Sequence, residues 1–510
     1  MSVPPDAPVP GRAAGRRADV FWAVALAVGT VVYLARLPRV LGDSDEALFL
    51  YEAKRLLAGQ VFYRDLFDLI TPGAHYLMAA TFWVFGANMT TARIADAVLH
   101  GLVVAAVYGA CRVLGVQRGL AAAAALVDPA ICRPAWAVAS PHWLSTLLTV
   151  LLVLVLLRAP TGFAAGIVLG LLVAVQQQRG AVMAAGAAAL LGAEQLLSRR
   201  RASVALRPLP RRAAALAGGV LVVTVPIGAF LIGRAGVSPV LAALVLQPLR
   251  YPTVNPISWG SVALPAYAHY TYPTLLAWQP VGTVAMGIRT LADVLRGARG
   301  ERVRRSVVLL VMSAAALGSV AYHPDYIHLA FVGPLFAILL ADLVQGGLGL
   351  LGRRPWLERA GGAMLAAGLL LGLGLRLRTV MLGTWADAPV VRRTAFGTMN
   401  FPENRYEQLL APVVDRLAAA KVRALFVYPV GTAWYLYTDT INPTPFQLLI
   451  PGYNTPAQIA DALAILDRRR LPFVIAFPLS ADDPVFTWIK QHYEPVGPSA
   501  PLLFRRVRDW

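Results

Sequence analysis

Apolar residues run along this chain in long blocks separated by short polar breaks. The blocks fall at 19–39, 94–112, 118–132, 141–158, 161–176, 180–198, 213–233, 274–294, 305–321, 326–345 and 359–379. A helix needs about 20 mainly apolar residues to cross a bilayer, so the pattern predicts about eleven crossings; the short blocks at 118–132 and 161–176 have soft edges. The stretch 73–86 (GAHYLMAATFWVFG) is too short for a span and is expected to be a juxtamembrane or re-entrant helix. From about 380 onward the pattern changes. Strand-like apolar runs at Ala424–Tyr428, Phe473–Phe477 and Leu502–Phe504 alternate with helical stretches at Glu403–Ala420, Thr455–Arg469 and Pro484–His492. Such alternation predicts a small α/β domain. The fold class is therefore a polytopic α-helical membrane protein: an N-terminal tail 1–18, a membrane domain 19–379 with a large loop at 40–93, and a C-terminal α/β domain 380–510.

Composition agrees with the pattern. The 510 residues are 57% hydrophobic and only 14% charged, against about 25% charged in soluble domains. The net charge of +19 comes almost entirely from arginine, gathered between apolar blocks: Arg112 and Arg118, Arg158, Arg199–Arg201 with Arg207, Arg211 and Arg212, the stretch Arg296–Arg305, then Arg353, Arg354 and Arg359. With eleven crossings every cluster lands on the side of Arg12, Arg16 and Arg17, which the positive-inside rule makes the cytoplasm. The C-terminal domain then lies outside. This is a pattern of membrane orientation, and it does not point to a nucleic-acid groove. The first block is expected to stay as an uncleaved helix, since no small-residue cleavage site follows it. Cys111 and Cys132 fall near opposite faces, which excludes a disulfide between them. Zinc-type spacing, a P-loop and a dinucleotide fingerprint are absent from the sequence. The Arg- and Ala-heavy usage suits a GC-rich bacterial genome, hence a bacterial inner membrane.

The unusual polar residues collect in the outside segments. The first loop carries Asp43, Asp45, Glu46, Asp65 and Asp68 beside the bilayer. Ser44 is a good N-cap, and Asp45 and Glu46 suit the first turn of a helix; capping does not account for Asp65 and Asp68. Asp128-Pro129, Arg133-Pro134 and Ser140-Pro141-His142 lie between the third and fourth blocks. Gln176-Gln177-Gln178-Arg179 joins the fifth and sixth, where amides and a cation face either solvent or a polar ligand. His323-Pro324-Asp325-Tyr326-Ile327-His328 joins the ninth and tenth and offers metal or phosphate ligands. Asp96 and His100 are one helical turn apart and can pair. The 234–273 loop, with Trp259, Tyr267, His269, Tyr270 and Tyr272, is an aromatic belt or a sugar or lipid platform.

Read together, Asp45-Glu46, Ala53, Leu56, Gly59, Phe62-Tyr63, Asp65, Pro72-Gly73, Tyr76, Phe85-Gly86 and Arg93 resemble the first outside loop of the GT-C glycosyltransferase superfamily, in the style of bacterial protein O-mannosyltransferases and lipid A aminoarabinose transferases. The match covers residues 40–93. The resemblance implies an inverting glycosyltransferase, using a polyprenyl-phosphate-linked sugar donor and a lipid, glycan or protein acceptor at the non-cytoplasmic face of the lipid bilayer. On that reading Asp45 is the catalytic base and Glu46 its supporting partner. Asp43, Asp65, Asp68, Gln178 and Asp325 are expected to bind substrate, and Arg93, Arg179, His323 and His328 to face the leaving phosphate. A divalent metal (Mg, Mn or Zn) would have Asp45, Glu46 and His323 as candidate ligands. The rivals are a transporter or lipid flippase, disfavoured by apolar mid-span regions without an evident repeat, and a non-catalytic relative.

Overall fold

A computed structural model describes residues 10–42, 44–199, 208–254, 279–298, 300–351, 355–480, 483–497, 500 and 502–507. Each of the eleven apolar blocks coincides with a helix: α1 (Pro10–Ala35), α4 (Met89–Leu114), α5 (Arg118–Val127), α6 (Pro141–Arg158), α7 (Phe163–Val175), α8 (Gln177–Arg199), α9 (Leu209–Ala235), α11 (Gln279–Leu295), α12 (Glu301–Val320), α13 (Tyr326–Leu348) and α14 (Pro355–Asp387). Eight of them are long and apolar enough to cross a membrane; α5, α7 and α11 are shorter, and a further short apolar helix, α10 (Val237–Arg250), follows α9. The chain is thus a polytopic membrane protein. Its outer helices expose apolar side chains, such as Phe21 and Val24 on α1, Val222 and Val225 on α9, and Leu371 and Leu375 on α14. Water would penalise such faces, whereas lipid does not.

One detail differs from the sequence expectation. The third block does not end in a loop. The chain continues from α5 through one π turn, Asp128–Cys132, into Arg133–Ala135, so Asp128 and Arg133 sit buried in the bundle and not on a solvated connection. The cause is pairing inside the protein: Arg133 binds Asp96 on α4 (2.9 Å), and Asp128 binds His100 on the same helix (2.7 Å). His100 also sits 3.6 Å from Asp96, so the expected pair is part of a four-residue network. The aromatic residues Trp259 to Tyr272 lie outside the described residues.

The basic segments meet at one end of the bundle. Arg112 and Arg118 both bind Asp19 (3.0 and 2.7 Å). Arg305 donates to Val113 O (2.6 Å), and Arg304 donates to the end of α6 at Leu156 O and Leu157 O (2.7 and 2.9 Å) while pairing with Glu194. Glu194 takes Arg212 as well. These contacts satisfy helix-terminal carbonyls that lipid would leave bare.

The other end carries the first loop and the C-terminal unit. In the loop, α2 (Ser44–Leu57) and α3 (Gly73–Phe85) are too short to span. Gly73 starts α3 where a Cβ would meet Ala174 O at 2.5 Å, so only glycine allows α3 to begin against the end of α7. The C-terminal unit holds a hairpin of β1 (Val390–Thr394) and β2 (Gly397–Phe401), then a four-stranded sheet of β3 (Phe426–Tyr428), β4 (Phe473–Ala476), β5 (Tyr493–Pro495) and β6 (Leu503–Arg506) in the order β3-β4-β6-β5. Strands β3 and β4 are parallel and wholly buried, as expected of crossover-linked strands covered on both faces.

Candidate active site

The loop, the bundle end and the C-terminal unit enclose a cavity of about 590 Å³. Its wall draws on distant parts of the chain: Asp45, Asp68 and His75 from the first loop, His142 from α6, Gln176, Gln177 and Gln178 from the α7–α8 turn, and Tyr322, His323, Asp325 and His328 from the α12–α13 connection. Val430, Leu448, Ile450 and Tyr453 of the C-terminal unit also line it. The titratable lining thus comes from the loop and the bundle, interspersed with apolar residues such as Phe49, Trp136 and Phe331, and the C-terminal unit adds a mainly apolar face.

Backbone and side-chain contacts fix each wall. Thr71 donates through Oγ1 to Val173 O (2.7 Å) and through N to Gln177 Oε1 (3.0 Å), while Gln177 Nε2 donates to Leu69 O (2.7 Å). The acidic loop is thus laced to the amide turn. On the C-terminal side, Asn442 N donates to Tyr51 Oη (2.8 Å), Phe67 N donates to Pro445 O (2.8 Å), and Tyr51 stacks on Tyr435 with centroids 4.6 Å apart.

Asp45 is exposed at the first turn of α2 and lines the cavity. Glu46 does not. One residue along a helix turns about 100°, and that turn takes Glu46 into the core. Its Oε1 accepts from Arg93 Nη1 (2.5 Å) and Ala139 N (2.6 Å), and its Oε2 accepts from Arg93 Nη2 (2.8 Å) and Gly42 N (2.6 Å). Four donors occupy the carboxylate, so Glu46 is a strut, not a reacting acid or a metal ligand, and Arg93 is committed to the same pair. Asp65 is likewise withdrawn: it accepts from Arg64 (2.8 Å) and Val61 N (2.8 Å) and lines a separate pocket with Arg55, Arg64 and Asn442. Asp43 lies outside the described residues.

Gln178, His323, Asp325 and His328 do share the cavity. Asp325 caps α13, accepting from both N and Nδ1 of His328 (2.7 Å each), with His323 Nε2 at 3.4 Å. Burial would raise its pKa, but the hydrogen bonds and charge of His328, with His323, hold it below the ordinary value. Arg179 is buried one layer behind the wall. Its Nη1 donates to Ser145 Oγ (2.6 Å), its guanidinium sits 5.9 Å from the Phe331 ring centroid, and its Nε has no hydrogen-bond partner among the described residues. His142 stacks on the same Phe331 ring at 4.6 Å.

Glu52 and His75 escaped the sequence reading. Glu52 is fully buried, with His75 Nε2 3.3 Å from its Oε2, and Asp68 Oδ2 lies 3.8 Å from the same nitrogen. A signal existed: Glu52 is seven residues after Asp45, so the two share a helix face. His75 had none beyond its type.

No family model and no curated protein matches the chain. Solved structures do. ArnT from Cupriavidus metallidurans, solved bound to undecaprenyl phosphate, superposes with a TM-score of 0.56 over 96% of this chain and 98% of that one, at 14% identity. Its apo form gives 0.55. The Archaeoglobus fulgidus oligosaccharyltransferase in its apo form gives 0.51 over 89% of this chain and 69% of that one, at 13% identity. The fold is thus the GT-C fold that the first loop resembles.

Proposed function

We propose that this chain is a membrane glycosyltransferase that moves a sugar from a polyprenyl-phosphate donor to an acceptor hydroxyl on the non-cytoplasmic face of a bacterial inner membrane. The observation that carries the reading is the shared cavity. An exposed carboxylate, Asp45, faces histidines and amides brought from three other segments, at the end of the bundle away from the arginine clusters. The likeness in fold to a structure solved with undecaprenyl phosphate supports the donor class.

In this mechanism Asp45 accepts the acceptor's hydroxyl proton as that oxygen forms a bond to the anomeric carbon. The bond from that carbon to the phosphate oxygen breaks on the opposite face, inverting the centre. The electron pair leaves on polyprenyl phosphate, a weak base that needs charge stabilisation and no general acid. His323 and His328 lie where a phosphate in the cavity can reach them, with Arg179 supplying a positive field from behind. A low-dielectric wall makes that field stronger than in water. The apolar side formed by Leu448, Ile450 and Tyr453 suits the acceptor.

The test is transfer from a panel of polyprenyl-phosphate sugars by the purified chain in liposomes, with Asp45→Asn alongside. Transfer by the wild type and loss of at least about 100-fold in kcat in the folded variant are expected. Full activity in Asp45→Asn removes Asp45 as the base, and absence of transfer with every donor rejects the enzyme reading.

A further inference from the structure

We infer that Glu52, Asp68 and His75 form a divalent-cation site in the wall of the cavity, and this inference does not depend on the glycosyltransferase reading.

The three residues come from separate elements: Glu52 from the third turn of α2, Asp68 from the loop before α3, and His75 from the first turn of α3. They converge so that one ligand atom from each lies within 4.8 Å of the others. Donors held about 2.0–2.2 Å from one ion sit roughly 3–3.5 Å apart, and the observed 3.3 and 3.8 Å from His75 Nε2 to the two carboxylates need only small adjustment. Two rings hold the imidazole: Phe49 and Phe62 each pack against it with centroids at 4.9 Å.

What points to an ion is unmet demand. Glu52 is fully buried, yet among the described residues its oxygens meet no nitrogen donor in hydrogen-bonding geometry, only the neighbouring Asp68 carboxyl and His75 Nε2 at 3.3 Å, and His75 Nδ1 is buried without a partner there too. A buried carboxylate is costly unless something positive compensates it. Arg55, one turn along α2, faces Glu52 through space but makes no hydrogen bond to it: Nε donates to Gln60, Nη2 donates to Asp65 O, and Nη1 is buried without a hydrogen-bond partner among the described residues. Without a cation the group answers by holding protons: burial pushes Glu52 up to about 8, burial with the Glu52 charge pushes Asp68 up to about 7, and burial pulls His75 down to about 4. A cation lets both carboxylates ionise around a neutral imidazole, the combination of ligands that metal binding requires.

The cavity holds a second group of suitable residues, His323, Asp325 and His328. That group is already satisfied internally, because Asp325 caps α13 and accepts from His328. The unmet group is the better host. One imidazole with two carboxylates favours zinc or manganese over magnesium, which prefers oxygen ligands and retained water. Asp68 and His75 line the cavity, so an ion can enter from it and present an open coordination position to whatever the cavity binds.

The full-length chain in detergent is stripped with chelator, dialysed against Zn²⁺ or Mn²⁺, and its bound metal counted by mass spectrometry. One equivalent is expected, with a rise in Tm on loading and a one-equivalent Co²⁺ absorption band displaced by Zn²⁺. Glu52→Gln and His75→Asn should each weaken binding at least about tenfold, while His323→Gln and Asp325→Asn should keep it. The inference is overturned if the wild type holds no stoichiometric metal and shows no Co²⁺ band. It is also overturned if the metal leaves with His323→Gln and stays with Glu52→Gln; failure of a variant to fold leaves the wild-type Co²⁺ titration to decide.

Discussion

Glu46 and Arg93 meet in a two-pronged ion pair, 2.5 and 2.8 Å, sealed between the start of α2 and α4. This pair is what holds Asp45 at the cavity. The guanidinium pins Glu46 inward, and the next side chain back along the helix is thereby turned outward. Arg93→Met leaves a buried carboxylate with only two backbone donors, so a loss of about 3–5 kcal/mol is expected. Glu46→Gln combined with Arg93→Met should recover part of it. Unfolding of the purified variants in detergent measures both, and equal losses in the single and double variants would deny the pair its coupling.

Gly42 shows how tightly that corner is built. A Cβ there would lie 2.3 Å from Val138 Cγ1 and 2.9 Å from Glu46 Oε2. Gly42→Ala is expected to cost about 1–3 kcal/mol through overpacking, and Val138→Ala in the same chain should restore most of it. A melting curve without rescue by the second change would place the strain elsewhere.

These relationships mark where sequence reading succeeded and where it stopped. The eleven helices were legible because each is an apolar block, eight of them long enough to cross a membrane, and lipid leaves backbone groups no other partner. The cavity's members His323, His328, Gln178 and Asp68 were legible as polar residues in outside turns. The division of labour inside the first loop was not. Asp45 and Glu46 are neighbours of like chemistry, and only the packing of Arg93 and Ala139 N against one of them separates a cavity residue from a strut. Asp65 and Asp68 are parted the same way, by Arg64 and Val61 N on one side and Glu52 and His75 on the other. The hairpin Val390–Phe401 gave no alternating signal because its outer strand, Val390–Thr394, is mostly exposed and carries two arginines.

The buried triad makes a prediction about pH in chelated protein. Glu52 and Asp68 keep protons in the folded chain, up to about 8 and about 7, that the unfolded chain releases near 4. Their contribution is present below pH 4 and is lost as pH rises through 7 and 8. His75 works oppositely between about 4 and 6.5, where the unfolded imidazole is the one holding the proton. One histidine offsets only one of the two carboxyls below about 6.5, so the fall in Tm should be shallow up to pH 6.5, steepest between about 6.5 and 7, and complete near 8. Glu52→Gln should flatten it. Melting curves at fixed salt across pH 6–9 test this, and a Tm that rises through that window would contradict the protonated pair.

Arg179 carries the last prediction. It is 1% exposed, holds Ser145 Oγ through Nη1, and keeps an Nε without a hydrogen-bond partner among the described residues, all one layer from a cavity lined by His142, Gln178 and His328. A purely structural arginine would normally spend its donors on carbonyls or a carboxylate, as Arg304 does at the other end of the bundle. If its charge stabilises a departing phosphate, Arg179→Gln should lower kcat by about 100- to 1,000-fold. Acceptor KM should change little, because the proposed mechanism sets the acceptor against the C-terminal unit. Ser145→Ala, which removes only the neutral partner, should cost far less than the loss of charge. Steady-state kinetics with donor and acceptor varied separately checks this in variants whose melting temperature matches the wild type. A rise in acceptor KM with kcat intact would assign Arg179 to holding the cavity's shape and leave the phosphate to the histidines.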